Sequence, residues 1–529
     1  MKVKDFLWWR DGIIYQIYPR SFYDTTGSGI GDLNGITAKL DYLSDLGVDA
    51  LWLSPINPSP DRDFGYDVSD YLTIDPKFGT MADFERLIDE AARKGIRIIM
   101  DLVLNHTSDQ HPWFLESRSS RDNPKRDWFI WRNGKGNGQP PNNWLSVFGG
   151  SAWQWDEASG QYYLHMFYKE QPDLNWRNPE VHQQLLNVFR FWLDKGVKGF
   201  RLDVFNLYFK DAKFRDNPVR PFRLRPDQRQ KMIHNCDLPE MMNVLAEIRE
   251  LLDQYDDAYV VGETFLGSPV KAAGYCGENA LHQAFLFDFL ECRWNPNCFS
   301  KVVRQWKTAL DKANWPNYVL NNHDVVRSAS RYGQGEDDER LKVAAAMLLT
   351  LRGTPFLYYG EEIGMREVKL PRSRILDPVG RRFWPVYKGR DGCRTPMHWN
   401  TGANAGFSPG TPWLPLHHDW LERNVENQES NPGSLLNFYR RLIALRRSEP
   451  VLVQGSLELL EDMPSGMMGY RRALDGRSAW IYLNFGKKNR QIAAPEVKIS
   501  RIFSNQREDL PAGQTIELLG NEALILISA

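Results

Sequence analysis

Eight short apolar segments recur along the chain, separated for most of its length by stretches of helical periodicity, and this alternation restricts the fold more than any other feature. The segments read "GIIYQIYP", "VDALWLSPI", "IRIIMDLVL", "VKGFRLDV", "AYVVGET", "AFLFDF", "YVLNN" and "GTPFLYYG". Amphipathic stretches such as 81–94 ("MADFERLIDEAARK") and 180–195 precede several of them. Eight strands separated by helices predict an α/β protein built as a (β/α)8 TIM barrel. A doubly wound open sheet is the alternative, but no glycine-rich phosphate loop follows the first segment.

Three regions break the rhythm. Residues 105–173, rich in Trp, Gly, Pro and Asn, follow the third segment and predict an inserted subdomain B. The barrel then occupies 1–104 and 174–448, with a polar, Pro-rich insertion at about 365–404. From 449 to 529 short alternating runs ("AWIYLNF", "EALILIS") predict a C-terminal all-β domain.

Charge and cysteine usage narrow the partners. Lys and Arg total 66 against 67 Asp and Glu over 529 residues, which argues against nucleic acid and against adhesion to an anionic membrane. No run of 18 apolar residues exists, so no transmembrane helix is expected. The N-terminal "MKVKDFLWWRDGIIYQIYPRSF" lacks the apolar stretch and cleavage site of a signal peptide. Cys236, Cys276, Cys292, Cys298 and Cys393 are odd in number and without metal-type spacing, so reduced thiols in a cytoplasmic protein are expected. The 19 Trp, 21 Tyr and 27 Phe lean toward a sugar ligand, whose C–H faces stack on aromatic rings, although aromatics also fill ordinary cores.

In a parallel barrel the site is built from the C-terminal ends of the strands. The third segment ends in Asp101, Asn105 and His106, the fourth in Arg201 and Asp203, the fifth in Glu263, and the seventh in His323 and Asp324. Arg201 and Asp203 are two apart and face the same side of a strand. A structural ion pair is the plain explanation of such a doublet, since isolated buried charges are costly. Four charged strand ends meeting at one mouth point instead to acid–base chemistry.

"DLVLNH", "GFRLDVFN", "VVGETF" and "YVLNNHD" resemble, in order and spacing, four signature regions of the α-amylase family, glycoside hydrolase family 13. "QPDLNW" (171–176) resembles a fifth region, as found in the family's oligo-1,6-glucosidase and α-glucosidase branch. The resemblance covers essentially the whole chain, including "WWRDGIIYQIYPRSF", "GYDVSDY" and "GRDGCRTPMHW". It implies an exo-acting, retaining α-glucosidase that releases glucose from the non-reducing end of short α-glucosides, with glucosyl transfer as a side reaction. It implies no organic cofactor such as NAD or ATP, a small oligosaccharide as partner, and a monomer or homodimer.

Carried over by position, the resemblance makes Asp203 the nucleophile, Glu263 the general acid/base, and Asp324 the carboxylate that holds sugar hydroxyls and stabilises the transition state. Retaining chemistry needs one carboxylate ionised to attack and another protonated to donate. Arg201 would keep Asp203 ionised and oriented, while burial would raise the Glu263 pKa. His106 and His323 would donate to glucose hydroxyls. Tyr66, Asp67 and Arg394 would close the end of the pocket, and Phe148, Phe167, Gln171 and Arg327 would line its wall and acceptor side.

Two features disagree on linkage. Val204, beside the expected nucleophile, resembles relatives that cleave α-1,6 links, whereas "DPVGRRFWPVYKGRDGCRTPM" is similar to bacterial α-glucosidases acting on short α-1,4 substrates. "DTTGSGIGD" resembles the family's calcium loop, with Asp24, Thr26, Ser28, the Ile30 carbonyl and Asp32 as ligands to a structural Ca2+ or Mg2+. Thr26 and Ser28 stand where relatives usually carry Asn and Asp, which weakens a hard-cation site. A sucrose isomerase is the rival reading, but "VVRSASRYG" after "NNHD" has Arg327 and Arg331 without an acidic partner. A catalytically dead, membrane-anchored transporter subunit is a remote one, because all three carboxylates and no anchor are present.

Overall fold

The eight apolar segments form eight parallel strands: β1 (Ile14–Ile17), β2 (Ala50–Leu53), β3 (Arg97–Leu102), β4 (Gly199–Leu202), β5 (Tyr259–Glu263), β6 (Gln283–Phe285), β7 (Asn317–Val319) and β8 (Thr354–Tyr358). The computed structural model describes residues 3–223, 228–310, 314–333, 338–510 and 513–529. The strands follow the order β7-β8-β1-β2-β3-β4-β5-β6, which is a nearly closed barrel. At the seam the Asn317 side-chain amide donates to the Ala284 carbonyl across 3.2 Å, joining β7 to β6.

Period-two alternation separates inside from outside. Ile14, Trp52, Ile99, Val261, Phe285, Val319 and Phe356 fill the barrel interior, while Leu51, Leu53, Ile98 and Met100 pack outward in the larger core. Phe200 and Leu202 of β4 also join that outer core, so Arg201 between them turns inward. The register then sets Arg201 directly opposite Asp101 of β3.

The outer helices carry ordinary start signals. Met81–Arg93 opens on a capping box between Thr80 and Asp83 and buries Phe84, Leu87 and Ala91. Pro179–Asp194 opens on Asn178, whose side chain accepts from the Glu180 and Val181 amides.

After β3 the inserted region contains a three-stranded antiparallel sheet of Trp131–Arg132, Gln161–Leu164 and Trp153–Asp156. Its apolar cluster, with Trp144, Trp153, Met166 and Phe167, also takes in Val204 and Leu207 from just beyond β4. The subdomain is therefore packed on the strand end that carries Asp203. The C-terminal region forms a five-stranded antiparallel sheet and a two-stranded ribbon. Tyr470, Ile481 and Leu483 of that sheet share the main core.

The cysteines differ from the reduced-thiol expectation. Cys292 and Cys298 form a disulfide, with Cα atoms 5.8 Å apart, because the turn into the Pro296–Ala309 helix brings them within bridging range. Cys236, Cys276 and Cys393 are free. Among the described residues, no helix is long and apolar enough to cross a membrane.

Candidate active site

Arg201 organises the mouth of the barrel. Its Nη1 donates to Asp101 and to Asp203, each at 2.7 Å, and its Nη2 donates to Glu263. The guanidinium is 2% exposed and lies over the rings of Trp52 and Tyr66. One fixed cation thus serves three carboxylates delivered by β3, β4 and β5, an arrangement a planar fork of donors permits and an ammonium does not. Burial pushes Glu263 well above the usual carboxylate range; Arg201 opposes this, and Asp203, Asp324 and Asp101 reinforce it. That direction favours the protonated form of Glu263, which shares the mouth with Asp203.

The chain leaves β4 abruptly. Asp203 is held by its amide donating to the Leu102 carbonyl at 3.0 Å, and Val204 follows with φ +34°, a left-handed conformation costly for a β-branched residue. That turn leaves Asp203 at the rim.

Asp324 follows β7. Arg394 donates its Nη2 to Asp324 at 2.8 Å and its Nε to the His323 carbonyl at 2.7 Å, and Arg390 stands 3.5 Å from the same carboxylate. Burial raises the Asp324 pKa, but the surrounding charges outweigh it and hold the carboxyl well below its ordinary value. His323 figures among those neighbours, yet burial pushes its own pKa down to about 3, so the arginines carry the effect at neutral pH.

The two histidines have defined tautomers. Gln16 donates to His323 Nδ1 at 2.8 Å, so Nε2 carries the proton and donates to the Tyr66 hydroxyl at 2.7 Å; that hydroxyl donates on to Asp101 at 3.0 Å. Asn105 donates to His106 Nδ1 at 3.1 Å, which leaves Nε2–H to donate to the Tyr66 carbonyl at 2.9 Å. Gln171 donates to the same carbonyl at 3.0 Å. Behind them Lys210 is buried among oxygens, donating to Asn105 at 2.8 Å and the Leu207 carbonyl at 2.5 Å and pairing with Asp173 at 2.6 Å. It ties the strand-four loop to the region 171–176, and no sequence motif had singled it out.

Three expected placements are corrected. Asp67 does not face the pocket: it is fully buried in its own turn, accepting from Ser59 Oγ at 2.7 Å, the Arg62 amide at 2.9 Å and the Asp63 amide at 3.0 Å. Asp63 faces the pocket instead, pairing with Arg390 at 2.6 Å and accepting from Gln171 at 3.2 Å. Phe64 and Gly65, at φ +49° and +108°, reverse the chain between Asp63 and Tyr66, so both turn inward. The pairing expected between Asp67 and Arg394 is replaced by Asp63 with Arg390, and Asp377 grips the same guanidinium at 3.0 Å. Arg327, expected on the acceptor side, is 1% exposed; it lies against the rings of Tyr358 and Tyr359 and donates to the Tyr359 carbonyl at 2.7 Å.

Phe148 and Phe167 pack against each other beside His106 and Arg390. Their centroids are 5.5 Å apart, Phe167 packs on His106, and Arg390 lies over Phe148.

The Asp24–Asp32 loop satisfies itself. Asp24 accepts from the Thr26, Gly27 and Gly29 amides and from the Thr26 and Ser408 hydroxyls. Asp32 caps the Leu33–Ala38 helix through the Gly35 amide and accepts from Thr25, while Ser28 Oγ donates to the Ile30 carbonyl. With their lone pairs committed to N–H and O–H donors, these oxygens do not fit a hard divalent cation as arranged. Among the described residues, no group of three or more His, Cys, Asp or Glu is placed to hold a metal.

Residues 16–455 match the α-amylase catalytic domain, and the chain belongs to the α-amylase family. It is 45% identical to a probable α-glucosidase of Rhizobium meliloti (strain 1021), over 94% of this chain and 92% of that one. It is 42% identical to an oligo-1,6-glucosidase of Parageobacillus thermoglucosidasius, over 93% and 92%. The crystal structure of an α-glucosyl transfer enzyme, XgtA, superposes with a TM-score of 0.94 at 40% identity, covering 99% of this chain and all of that one.

Proposed function

We propose that this protein is an exo-acting, retaining α-glucosidase in which Asp203 attacks the anomeric carbon of a terminal glucosyl unit and Glu263 protonates the departing oxygen. The observation that carries the mechanism is the single Arg201 guanidinium bonded to both carboxylates. Two carboxylates held by one guanidinium stand side by side at the same mouth, which supports a retaining pair, whose carboxyl groups lie roughly 5 Å apart. The relatives' names, α-glucosidase and oligo-1,6-glucosidase, support the substrate class.

The steps follow from the charges. Glu263 starts protonated because burial raises its pKa, and donates its proton to the glycosidic oxygen as Asp203 forms the covalent glucosyl ester. Once deprotonated, Glu263 takes a proton from the incoming water or sugar hydroxyl, which breaks the ester with overall retention. Asp324, kept ionised by Arg394 and Arg390, would accept from glucose hydroxyls and stabilise positive charge at the anomeric centre. Asp63 with Arg390 would close the pocket at the non-reducing end, which makes the action exo. Arg390→Ala is then expected to lower kcat/KM about 10- to 100-fold, the scale of a lost charge-assisted hydrogen bond. Asp67→Asn should lower the melting temperature by a few degrees and leave KM within about threefold, since its partners are all in its own turn. Equal kinetic losses in the two variants would return Asp67 to the pocket.

Linkage is proposed as α-1,6 over α-1,4, on Val204 beside the nucleophile. Initial rates on isomaltose, maltose, sucrose and trehalose test this directly. Val204→Thr is expected to move the kcat/KM ratio toward maltose by about tenfold, or ~1.4 kcal/mol. Wild type that cleaves maltose well and ignores isomaltose would assign the choice to the 365–404 insertion.

The transfer reading of the glucosyl ester is favoured over isomerisation. Arg331 is spent on the Val326, Leu290 and Leu320 carbonyls and Arg327 on Tyr359, so neither is offered to a migrating fructosyl group.

A further inference from the structure

Two adjacent glutamates, Glu361 and Glu362, lie buried just beyond β8 and take no part in the mechanism above. Glu362 accepts from the Tyr15 and Tyr42 hydroxyls, which tie the end of β8 to the first strand–helix unit. Glu361 reaches sideways. Its Oε2 accepts from the Asn321 amide at 2.5 Å and its Oε1 from the Tyr439 hydroxyl at 3.1 Å.

Asn321 opens the turn that carries Asn322, His323 and Asp324 and ends at Ser328. The turn is closed by Asn321 itself, whose Nδ2 donates to Ser328 Oγ at 2.8 Å and whose Oδ1 accepts from the Ser328 amide. Asp324, by contrast, has a side chain 35% exposed, and its amide is held only by the Asn322 side chain at 2.9 Å. Arg394 and Arg390 hold its carboxylate from one side, so where its main chain stands depends on how firmly the ends of the turn are seated.

We propose that Glu361 is a positioning residue for Asp324: by gripping Asn321 at the root of the turn after β7, it fixes where the Asp324 carboxylate stands relative to Asp203 and Glu263. The residue type suits that task. Asn321 N–H and Tyr439 O–H converge on one buried point, and a carboxylate is the side chain that accepts from both. Among the described residues no arginine or lysine pairs with it, and burial raises its pKa to about 7, so the group is kept there without an ion pair to offset its desolvation. A second clamp of the same kind acts at the far end, where Arg327 donates to the Tyr359 carbonyl. β8 therefore seats both ends of the turn that β7 delivers.

This inference rests on the role given to Asp324, so the test needs one readout independent of substrate. Glu361→Met removes the acceptor at constant volume, Asn321→Ser removes the donor from the other side, and Glu361→Gln keeps one acceptor oxygen. In the folded Met and Ser variants, kcat on a nitrophenyl α-glucoside should fall about 30-fold with KM within threefold, and amide hydrogen exchange over 322–328 should quicken at least tenfold. Glu361→Gln should stay within about threefold of wild type in both. A folded Met or Ser variant with wild-type kcat and wild-type exchange overturns the proposal, as does a Gln variant as impaired as Met. Quickened exchange in a protein whose wild type has no α-glucosidase activity would uphold the grip and sink the functional reading instead.

Discussion

Asp203→Asn is expected to lower kcat about 10^4-fold, roughly 5.4 kcal/mol of transition-state stabilisation, on natural and activated glucosides alike. The amide is isosteric and keeps an oxygen for Arg201 Nη1, so the fold and the Arg201–Asp101 bond at 2.7 Å should persist. What disappears is the nucleophile. No leaving group, however good, compensates for that loss, because the glucosyl ester has nowhere to form. Single-turnover mixing with an activated fluoride or nitrophenyl glucoside should show no burst. The variant should bind isomaltose or maltose no more than about tenfold more weakly than wild type.

Glu263→Gln separates the roles. Its loss should be about 10^3-fold on disaccharides, whose leaving hydroxyl needs a proton, and about tenfold or less in glycosylation by a dinitrophenyl glucoside, which needs little. Burial and the neighbouring carboxylates raise the Glu263 pKa in the folded protein. Wild-type kcat/KM on disaccharides should therefore fall on the alkaline side as this proton is lost, and the Gln variant should lack that limb. Azide, a nucleophile that needs no general base, should restore turnover of the activated substrate and give the α-glucosyl azide, since it attacks the β-linked ester on Asp203 with a second inversion. If the two variants lost both substrate types equally, the division of labour between Asp203 and Glu263 would be wrong.

The barrel was legible because its strands are short, apolar and regularly spaced, so periodicity identifies them without tertiary information. Asp203, Glu263 and Asp324 were legible for a related reason: charges at the C-terminal ends of parallel strands have one place to go. The end of the pocket was not. "DRDFGYD" offers several carboxylates within seven residues, and which one turns inward depends on two left-handed residues, Phe64 and Gly65, whose conformations no spacing rule fixes. Asp67 was mistaken for the pocket residue because it sits next to Tyr66; it stabilises the turn that presents Asp63. Arg390 escaped notice for want of its partners, since Asp63 and Asp377 meet it only through the folded insertion.

Arg327 illustrates the opposite error, and Lys210, which no motif marks, is buried in the same way. Arg327 is buried against the Tyr359 carbonyl, and Lys210 against Asn105, the Leu207 carbonyl and Asp173. Single-sequence reasoning assigns a cation near a motif to the ligand; burial decides otherwise. The Cys292–Cys298 bond was hidden by the odd total of five cysteines, which says nothing about which two lie across a turn.

The double displacement at Asp203 is tested most directly by following the anomer of the first glucose released. Proton NMR within the first seconds of hydrolysis, before mutarotation, should show α-glucose alone from isomaltose or maltose, because two inversions restore the starting configuration. Initial β-glucose would mean that water attacks directly, and would contradict both the covalent ester and the assignment of Asp203 as nucleophile.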